Sequence, residues 1–384
     1  MRPLALRRIF RAKRAFTTSL PTSSSSSSSS PSSSPSSSSS SPTSSSPSSS
    51  SSASPSPEVA RLLDQFQSTS FVRRRVLDAT QLQRLSLMLG RPTIDDQDIL
   101  TSPPAVGTPI PPGHHLVYFA SDGLERDLGP DGTDTTFNAP FPFTRRMWAS
   151  GSLGWSAESV KVGDEVEEHT RLVSATHKQS QSAGEMILVE VEKSIRGPRS
   201  SHISDNRTWV FRPAMDASSA RRHDFAPSRE LSRPPSKMAD SSAQPGTFPI
   251  RELSWSPLAL FRFSALTFNA HKIHYDERWS QQVEGHPGLV VHGPLNMISI
   301  LDYWSDIHGG GTKPGILAYR AMSPLYAGET YTIRTTGMLD GIYKILVERD
   351  GVLCMKSEVW GDIRKTNKGM RTRRSGPKRP QMQF

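Results

Sequence analysis

Two histidines and an aspartate lie close together in the run HKIHYD, at His271, His274 and Asp276. The run follows an apolar segment and precedes a polar one, so we expect it in an irregular loop rather than inside a strand. Histidine both accepts and donates a proton near neutral pH, which the reversible addition or removal of water requires. The pattern therefore favours acid/base chemistry. Two other interpretations remain open: an ordinary hydrogen-bonded surface turn, or a metal site, because two histidines and an acid are common metal ligands.

Gly293 and Pro294 mark the predicted start of a helix downstream of the histidines. Proline is favoured in a first helical turn, and a glycine N-cap lets a ligand approach the backbone. The free N–H groups there, with the positive end of the helix dipole, stabilise an anion such as a developing enolate oxygen. Apolar residues cover nearly all faces of the segment up to Trp304, and glycines at 309–311 follow it. This predicts a helix enclosed by protein.

The runs FNAHKIHYD and EGHPGLVVHGPL resemble the hydratase 2 motif of the MaoC-like hot-dog hydratases and dehydratases. That motif is roughly S-G-D-x-N-P-x-H-x-D, followed by a glycine that opens the central helix. The sequence around the motif is similar to one branch in particular, the mitochondrial 3-hydroxyacyl-thioester dehydratase type 2 proteins with the mesaconyl-C4-CoA and itaconyl-CoA hydratases. The resemblance extends, more weakly, over about residues 57 to 362.

The resemblance implies a role for each motif residue. It places the catalytic histidine at His274, the trailing acid at Asp276 and the oxyanion glycine at Gly293. Two positions depart from the family pattern, because Asn269 stands where the family has its catalytic aspartate and His271 where it has an asparagine. An amide takes no proton, so we expect Asn269 to orient the water or the thioester. His274 then carries the acid/base work, helped by His271.

The activity implied by the resemblance is the reversible dehydration of (3R)-3-hydroxyacyl thioesters to trans-2-enoyl thioesters in mitochondrial fatty acid synthesis. The partner is an acyl-CoA or an acyl carrier protein thioester, and no metal or redox cofactor is implied. Because the phosphopantetheine arm carries phosphate, cations near the motif are candidates to line its entrance. Arg262, Lys272 and Arg320 are predicted to bind substrate because of their charge and their nearness in sequence, and Asp276 and His292 are predicted to bind it as well.

Two rival functions remain. A hydratase of mesaconyl-CoA or itaconyl-CoA type dicarboxylic thioesters would need a cation in its pocket, and the sequence does not decide whether Arg145, Arg146 or Arg320 points inward. A non-catalytic acyl-binding or RNA-binding hot-dog protein is the other rival. The asparagine at position 269 and the basic C-terminal tail argue for it. The tail lacks aromatic interleaving or a binding motif, so we expect no nucleic-acid partner.

The formal charge of +10 comes from the two ends of the 384-residue chain. Residues 1–20 and 363–384 are rich in Lys and Arg and contain no acid, so the stretch between them is not basic. The N-terminal composition is typical of a mitochondrial transit peptide and predicts the mitochondrial matrix, with a merely basic tail as the alternative. No apolar run is long enough to span a membrane. The single cysteine, Cys354, excludes an intrachain disulfide and, within VLCM, is predicted to lie in a buried strand.

Composition divides the chain into segments. Residues 21–57 are nearly pure Ser and Pro and predict a disordered spacer, and the tail 363–384 is predicted disordered as well. Residues 214–247, rich in Ser, Pro, Ala and Arg, predict a linker between two halves, 58–213 and 248–362. Each half has a Gly/Pro-opened apolar segment, an Arg-Met anchor, a Gly-acid turn and apolar-rich runs that predict strands. Either a monomer or a homodimer fits.

The resemblance implies an α+β double hot-dog, in which each unit has a long central helix wrapped by a curved antiparallel sheet. Only the second half keeps HKIHYD. We therefore expect the first half to be a degenerate partner that completes the sheet and shapes the acyl tunnel. It is also expected to contain a helix that Asp78 caps and that ends near Gly90.

Overall fold

The computed structural model describes residues 55–120, 122–181, 184–215, 234–242 and 246–361. The predicted transit peptide, almost all of the Ser/Pro spacer, much of the predicted linker and the basic tail lie outside the described residues.

Capping side chains set the starts of the helices. Ser56 accepts from the Val59 N–H (3.5 Å) at the first helix. Asp78 accepts from the Gln81 N–H (2.9 Å), which confirms the predicted cap. The helices in the described part of the chain are α1 (Pro57–Phe66), α2 (Ala79–Met88), α3 (Pro257–Leu266), α4 (Glu277–Gln282) and α5 (Gly293–Trp304).

Each predicted apolar-rich run forms a strand, as its partial alternation indicated. The strand β8 lies inside the range predicted as linker, so this end of that range is part of the sheet. The strands are β1 (Ser70–Val76), β2 (Thr93–Ile94), β3 (Gln97–Asp98), β4 (Arg145–Trp155), β5 (Glu165–Ser180), β6 (Gly184–Arg196), β7 (His202–Arg212), β8 (Lys237–Asp240), β9 (Arg251–Ser254), β10 (Ile316–Ala321), β11 (Tyr331–Leu339), β12 (Ile342–Arg349) and β13 (Val352–Trp360).

One antiparallel sheet runs through both halves. Its strand order is β1-β5-β6-β7-β4-β10-β13-β12-β11-β9-β8, while β2 and β3 form a separate hairpin. The halves meet where β4 pairs with β10, with Gly151 opposite Tyr319. A side chain at Gly151 would lie 2.2 Å from the carbonyl oxygen of Asn206 and 2.5 Å from the Tyr319 hydroxyl. The junction of the two halves therefore requires glycine at this position.

The helix α5 lies at the centre of the main core. Nine of its residues are buried: Leu295, Asn296, Met297, Ile298, Ser299, Ile300, Leu301, Tyr303 and Trp304. A π-helical turn, Ser305–Gly309, continues it, and Gly310 ends it in the left-handed conformation (φ +51°). The predicted enclosed helix and its glycine stop are thus confirmed.

The N-terminal half has a shorter counterpart of α5. Its Gly/Pro-opened segment forms only a 3-10 turn, His114–Val117. Gly113 (φ +85°) precedes this turn and packs so closely that a Cβ there would lie 3.1 Å from side-chain atoms of Ile298 and Leu301 in α5. The fold is α+β, as expected, but among the described residues the two sheet halves share the helix α5, whereas the double hot-dog expectation gave each half a long helix of its own.

Candidate active site

A cavity of about 900 Å³ lies between the two halves. The C-terminal half contributes the start of α5 and the loop 269–276, here called the histidine loop. The N-terminal half contributes β4, β6 and β7. Much of the wall is apolar or aromatic, as a site for an acyl chain requires. The apolar side chains on this wall include Leu116, Phe119, Trp148, Trp209, Phe261 and Phe263.

His274 is held as a neutral imidazole with one free nitrogen. It lies on the 3-10 turn Lys272–His274, is 7 % exposed and lines the cavity. Its Nδ1 lies 2.7 Å from the carbonyl oxygen of Val290, which only accepts, so Nδ1 carries the proton. Burial lowers the pKa of His274 to about 4. At neutral pH, Nε2 is therefore an unprotonated acceptor, suited to a general base.

The backbone of Val290 connects His274 to the start of α5. The Val290 N–H donates to the carbonyl of Ile273 (2.9 Å), and the next residue, Val291, donates to Leu325 (2.8 Å). Because Val290 lies just before Gly293 in the chain, these bonds fix the distance between the histidine loop and the helix. The local backbone thus holds the neutral imidazole of His274 close to the first turn of α5.

His292 packs against the ring of His274. The two rings are stacked, with centroids 3.6 Å apart and an interplanar angle of 19°. His292 is fully buried, and its Nε2 lies 2.9 Å from the hydroxyl of Ser264. Burial, together with the nearby His274 and His271, lowers the pKa of His292 well below its ordinary value. This residue was predicted to bind substrate, but the structure places it behind His274 and off the cavity wall.

His271 is a second histidine whose ring contacts that of His274. It lines the cavity, and its ring lies edge-on to His274 with centroids 5.4 Å apart. Burial, with His274, Arg146 and His286 nearby, lowers the pKa of His271 well below its ordinary value. Its Nε2 lies 3.7 Å from Oδ2 of Asp131, an aspartate of the N-terminal half that sequence reasoning did not single out.

Asn269 shapes the loop as well as lining the cavity. Its Oδ1 accepts from the backbone N–H of His271 (3.1 Å), and its own N–H donates to the carbonyl of Ser264 (2.8 Å). The oxygen of the carboxamide is thus engaged with the loop, which leaves the amide nitrogen Nδ2 to donate. Such a group can orient an oxygen of water or thioester, but it cannot take a proton.

Gly293 is the first residue of α5, and His292 occupies the N-cap position that was expected of the glycine. Among the described residues, the Gly293 N–H donates to no protein acceptor. A Cβ at this position would lie 2.8 Å from Cγ of Trp148, which reaches it from β4. Gly293 lines the cavity close to an indole ring from the other half, so its N–H is a candidate donor to an oxyanion there.

The cavity wall includes none of the residues predicted to bind substrate, which are Arg262, Lys272, Asp276, His292 and Arg320. Lys272 donates from Nζ to the carbonyl of Pro130 (2.7 Å) and covers the Trp279 ring. Asp276 caps α4 by accepting from the Trp279 N–H (2.9 Å). Arg262 is exposed on α3. Nearness in sequence does not fix the direction of a side chain, and on this turn the histidines face inward while Lys272 faces the neighbouring loop.

Cations of the N-terminal half line the cavity instead. Arg145 is paired with Glu284 (3.0 Å). Arg146 donates to the carbonyl of Asp134 (3.0 Å) and to Oδ1 of Asn138 (3.2 Å), and it contacts no carboxylate within the described ranges. Burial lowers the pKa of Arg146, and the nearby carboxylates of Asp134 and Asp131 offset this desolvation only in part. Arg146 is therefore a cation on the cavity wall that is available to a substrate anion.

The metal-site interpretation has no support in the geometry. No three His, Cys, Asp or Glu side chains converge as metal ligands in the part of the chain that the structure describes.

None of the helices in that part has the length and apolar character of a bilayer-spanning segment.

A family model described as hydroxyacyl-thioester dehydratase type 2 matches residues 113–327, more than half of the chain. This range extends from Gly113 across both halves and contains every residue of the site described above. The chain belongs to the hydroxyacyl-thioester dehydratase type 2 family. As a member of this family it is an enzyme of the hydro-lyase class, which adds or removes water at a thioester-activated carbon.

Two named relatives support this membership. The chain is 32% identical over 226 residues to the mesaconyl-C(4)-CoA hydratase of Chloroflexus aurantiacus, covering 58% of this chain and 73% of the relative. It is 25% identical over 241 residues to the mitochondrial hydroxyacyl-thioester dehydratase type 2 of Schizosaccharomyces pombe, covering 59% of this chain and 77% of the relative.

Solved structures agree on the fold. A MaoC-like dehydratase from Phytophthora capsici matches with a TM-score of 0.54 at 13% identity, covering 79% of this chain and 97% of that one. HtdX of Mycobacterium tuberculosis matches with a TM-score of 0.50 at 12% identity, covering 76% of this chain and all of that one. The expected MaoC-like hot-dog architecture is thus confirmed.

Proposed function

We propose that the protein catalyses the reversible dehydration of (3R)-3-hydroxyacyl thioesters to trans-2-enoyl thioesters, with the acyl group carried on CoA or acyl carrier protein. The observation that carries the proposal is the pairing of a neutral His274, with Nε2 free, and the unpartnered N–H of Gly293 on one wall of a largely apolar cavity. One group removes a proton from carbon and the other stabilises the oxygen on which negative charge develops.

The chemistry follows from this pairing. The thioester oxygen accepts from the Gly293 N–H, which lowers the energy of the enolate-like species. Nε2 of His274 takes the proton from C2 of the acyl group. The C3–O bond breaks as His271 or His274, in its protonated form, gives one proton to the departing hydroxyl, a C2=C3 double bond forms, and one water leaves. In the hydration direction, Asn269 and His271 place that water.

We assign catalysis to the C-terminal half (248–362) because His271, His274 and Gly293 all belong to it. The N-terminal half (58–213) contributes the indole of Trp148 and the cations of the far wall. In this proposal it is a degenerate unit that shapes the acyl site without its own histidine loop.

A role in mitochondrial fatty acid synthesis in the matrix is part of the same proposal. It is supported by the Arg-rich, acid-free composition of residues 1–20 and by the similarity to the S. pombe relative, which is a mitochondrial protein. Fusing residues 1–57 to a fluorescent protein and expressing it in yeast tests this. Import into mitochondria is expected, and a uniformly cytosolic signal would contradict the proposed location.

The substrate proposal is tested by following the loss of enoyl-thioester absorbance with crotonyl-CoA and, in parallel, with mesaconyl-CoA. Protein lacking residues 1–55 is used, because Ser56 caps the first described helix, which begins at Pro57. A higher kcat/KM for the straight-chain thioester is expected. The reverse preference would refute the fatty acyl assignment while leaving the hydro-lyase chemistry intact.

Arg146 favours a second candidate, the hydration of thioesters that carry a free carboxylate, of the mesaconyl-CoA or itaconyl-CoA type. A guanidinium on the cavity wall without a carboxylate partner among the described residues suits such a substrate. Under this hypothesis, Arg146→Gln lowers kcat/KM for mesaconyl-CoA at least tenfold more than for crotonyl-CoA. Arg145→Gln is the comparison, because Arg145 already pairs with Glu284. Equal losses for both substrates would count against the hypothesis.

A further inference from the structure

A loop of the N-terminal half is locked onto the histidine loop. The N–H of Lys272 donates to the carbonyl of Asp131 (2.8 Å), and the ammonium of Lys272 donates to the carbonyl of Pro130 (2.7 Å). The next residue, Gly132 (φ +82°), lies so near the motif that a Cβ there would be 2.0 Å from the carbonyl oxygen of Ala270. The segment 129–133 is therefore fixed against the backbone on both sides of His271.

Within this locked segment, Asp131 is buried (6 % exposed) and its two oxygens have different surroundings. Oδ1 accepts from the N–H (3.0 Å) and the hydroxyl (2.8 Å) of Thr133. Oδ2 lies 3.7 Å from Nε2 of His271, a buried nitrogen that has no hydrogen-bond partner among the described residues. A buried donor without a partner is costly, and a shift of about 1 Å would bring this pair to ordinary hydrogen-bond distance.

We propose that Asp131 is a positioning residue that makes His271 the second acid–base group of the site, supplying from the N-terminal half the carboxylate that Asn269 lacks. The inference concerns the movement of water and protons, so it rests on the hydro-lyase chemistry and not on which acyl group is processed. The pair tightens when substrate fills the cavity, since catalytic hydrogen bonds are often long without substrate.

The proton balance shows what Asp131 contributes. In dehydration, His274 gains the C2 proton at Nε2 while an acid gives a proton to the departing hydroxyl. With Nε2–H of His271 directed at Asp131, its other nitrogen, Nδ1, serves as that acid when protonated. Both imidazoles are neutral before substrate binds, because burial lowers the pKa of each, so the site takes up one proton from solvent with the substrate, and exchange through the product water returns it to His271 after each turnover. The negative charge of Asp131 holds this proton on His271 rather than on His274.

Other charges near His271 act in the opposite sense. His274 and His286 from the same half and Arg146 from β4 all disfavour a second positive charge. Asp131 is the carboxylate that lies against the ring among the described residues. Removing its charge while keeping its shape should therefore leave His271 neutral and unable to donate.

Asp134 provides a matched control. Its Oδ1 accepts from the N–H (3.0 Å) and hydroxyl (2.8 Å) of Thr136, the same turn that Asp131 forms with Thr133, but no histidine lies against it within the described chain. If Asp131 only shapes a turn, asparagine will replace it as well as it replaces Asp134. If Asp131 acts through its charge, the two substitutions will differ.

The kinetic test compares Asp131→Asn with Asp134→Asn in the protein lacking residues 1–55. We expect Asp131→Asn to lower kcat by about 10–100-fold relative to Asp134→Asn, somewhat less than the loss of a whole general acid or base, with KM nearly unchanged. In the His271→Ala background, Asp131→Asn should lower kcat no further. Equal kcat for the two asparagine variants would overturn the proposal, and so would a full additional loss in the His271→Ala background.

A second measurement uses the unsubstituted protein and needs no turnover. Nitrogen-15 NMR of the imidazoles reports which ring nitrogen of His271 carries the proton, with assignment from the spectrum of His271→Gln. The proposal requires the Nε2–H form, directed at Asp131. An Nδ1–H form would overturn it even if the enzyme were active, and an Nε2–H form would support it even if both test thioesters proved poor substrates.

Discussion

Gly293→Ala tests the oxyanion role with a single methyl group. The new Cβ would lie 2.8 Å from Cγ, 2.9 Å from Cδ1 and 3.0 Å from Cβ of Trp148. Because non-bonded carbons prefer about 3.5–4.0 Å, either the indole or the first turn of α5 must move by about 0.5–1 Å. A hydrogen bond that starts near 2.9 Å does not survive such a displacement. We expect kcat to fall by about 10²–10³-fold, as on loss of one oxyanion-hole donor.

The assay is the initial rate of enoyl-thioester hydration, with thermal unfolding measured in parallel. Overpacking at the tightly packed helix start should also lower the free energy of unfolding by about 1–3 kcal/mol. Gly288→Ala is the control, because the nearest atom to a Cβ there is Oε1 of Glu277 at 3.9 Å. It should keep kcat within about twofold. A Gly293→Ala variant with kcat within threefold of the parent would refute the oxyanion assignment.

Three further outcomes are expected. His274→Ala should lower kcat by about 10²–10⁴-fold, the usual worth of a general base, while far-ultraviolet circular dichroism shows an unchanged fold; turnover near that of the parent would remove His274 from the mechanism. Burial lowers the pKa of His274, His286 and His308 to about 4 from 6.5, so the folded state holds fewer protons than the unfolded state between these values. Stability should therefore be full above about pH 6.5 and fall as the pH drops toward 4, and a melting temperature that stays constant over this window would contradict the burial of these neutral rings. Lys272→Met should lower the free energy of unfolding by about 0.5–1.5 kcal/mol, because it removes the hydrogen bond to Pro130, and a large rise in KM instead would return Lys272 to substrate binding.

Much of the local structure could be predicted from short-range patterns. The cap at Asp78, the helix that Gly293 and Pro294 open and its glycine stop all depend on a few neighbouring residues. The strands β4–β7 and β10–β13 followed from partly alternating apolar runs, for the same reason, whereas β1, β8, β9 and the hairpin of β2 and β3 were not predicted. The short turn His114–Val117 was not predicted, because its length depends on packing against α5 rather than on its own residues.

The site residues also divide into those that the sequence singled out and those that only the tertiary structure brought to the cavity. His271, His274 and Asn269 were found from sequence because one loop carries them at a recognisable spacing, and the backbone between His274 and Gly293 is short enough to hold them together. The substrate-binding predictions rested on charge and nearness, and the cavity wall is formed by other cations. Charge alone carries no information on which way a side chain points from its turn or strand.

The sequence by itself determined the irregular HKIHYD loop and the helix that follows it, because each is encoded by contiguous residues, and the family resemblance implied the α+β class. Only the tertiary structure decided that Trp148 covers Gly293 and that Asp131 lies against His271. Those contacts join residues of the N-terminal half to residues of the C-terminal half. They exist because β4 pairs with β10 in a fixed register. The energy of that pairing comes from residues throughout the sheet, so no single segment of the sequence predicts it.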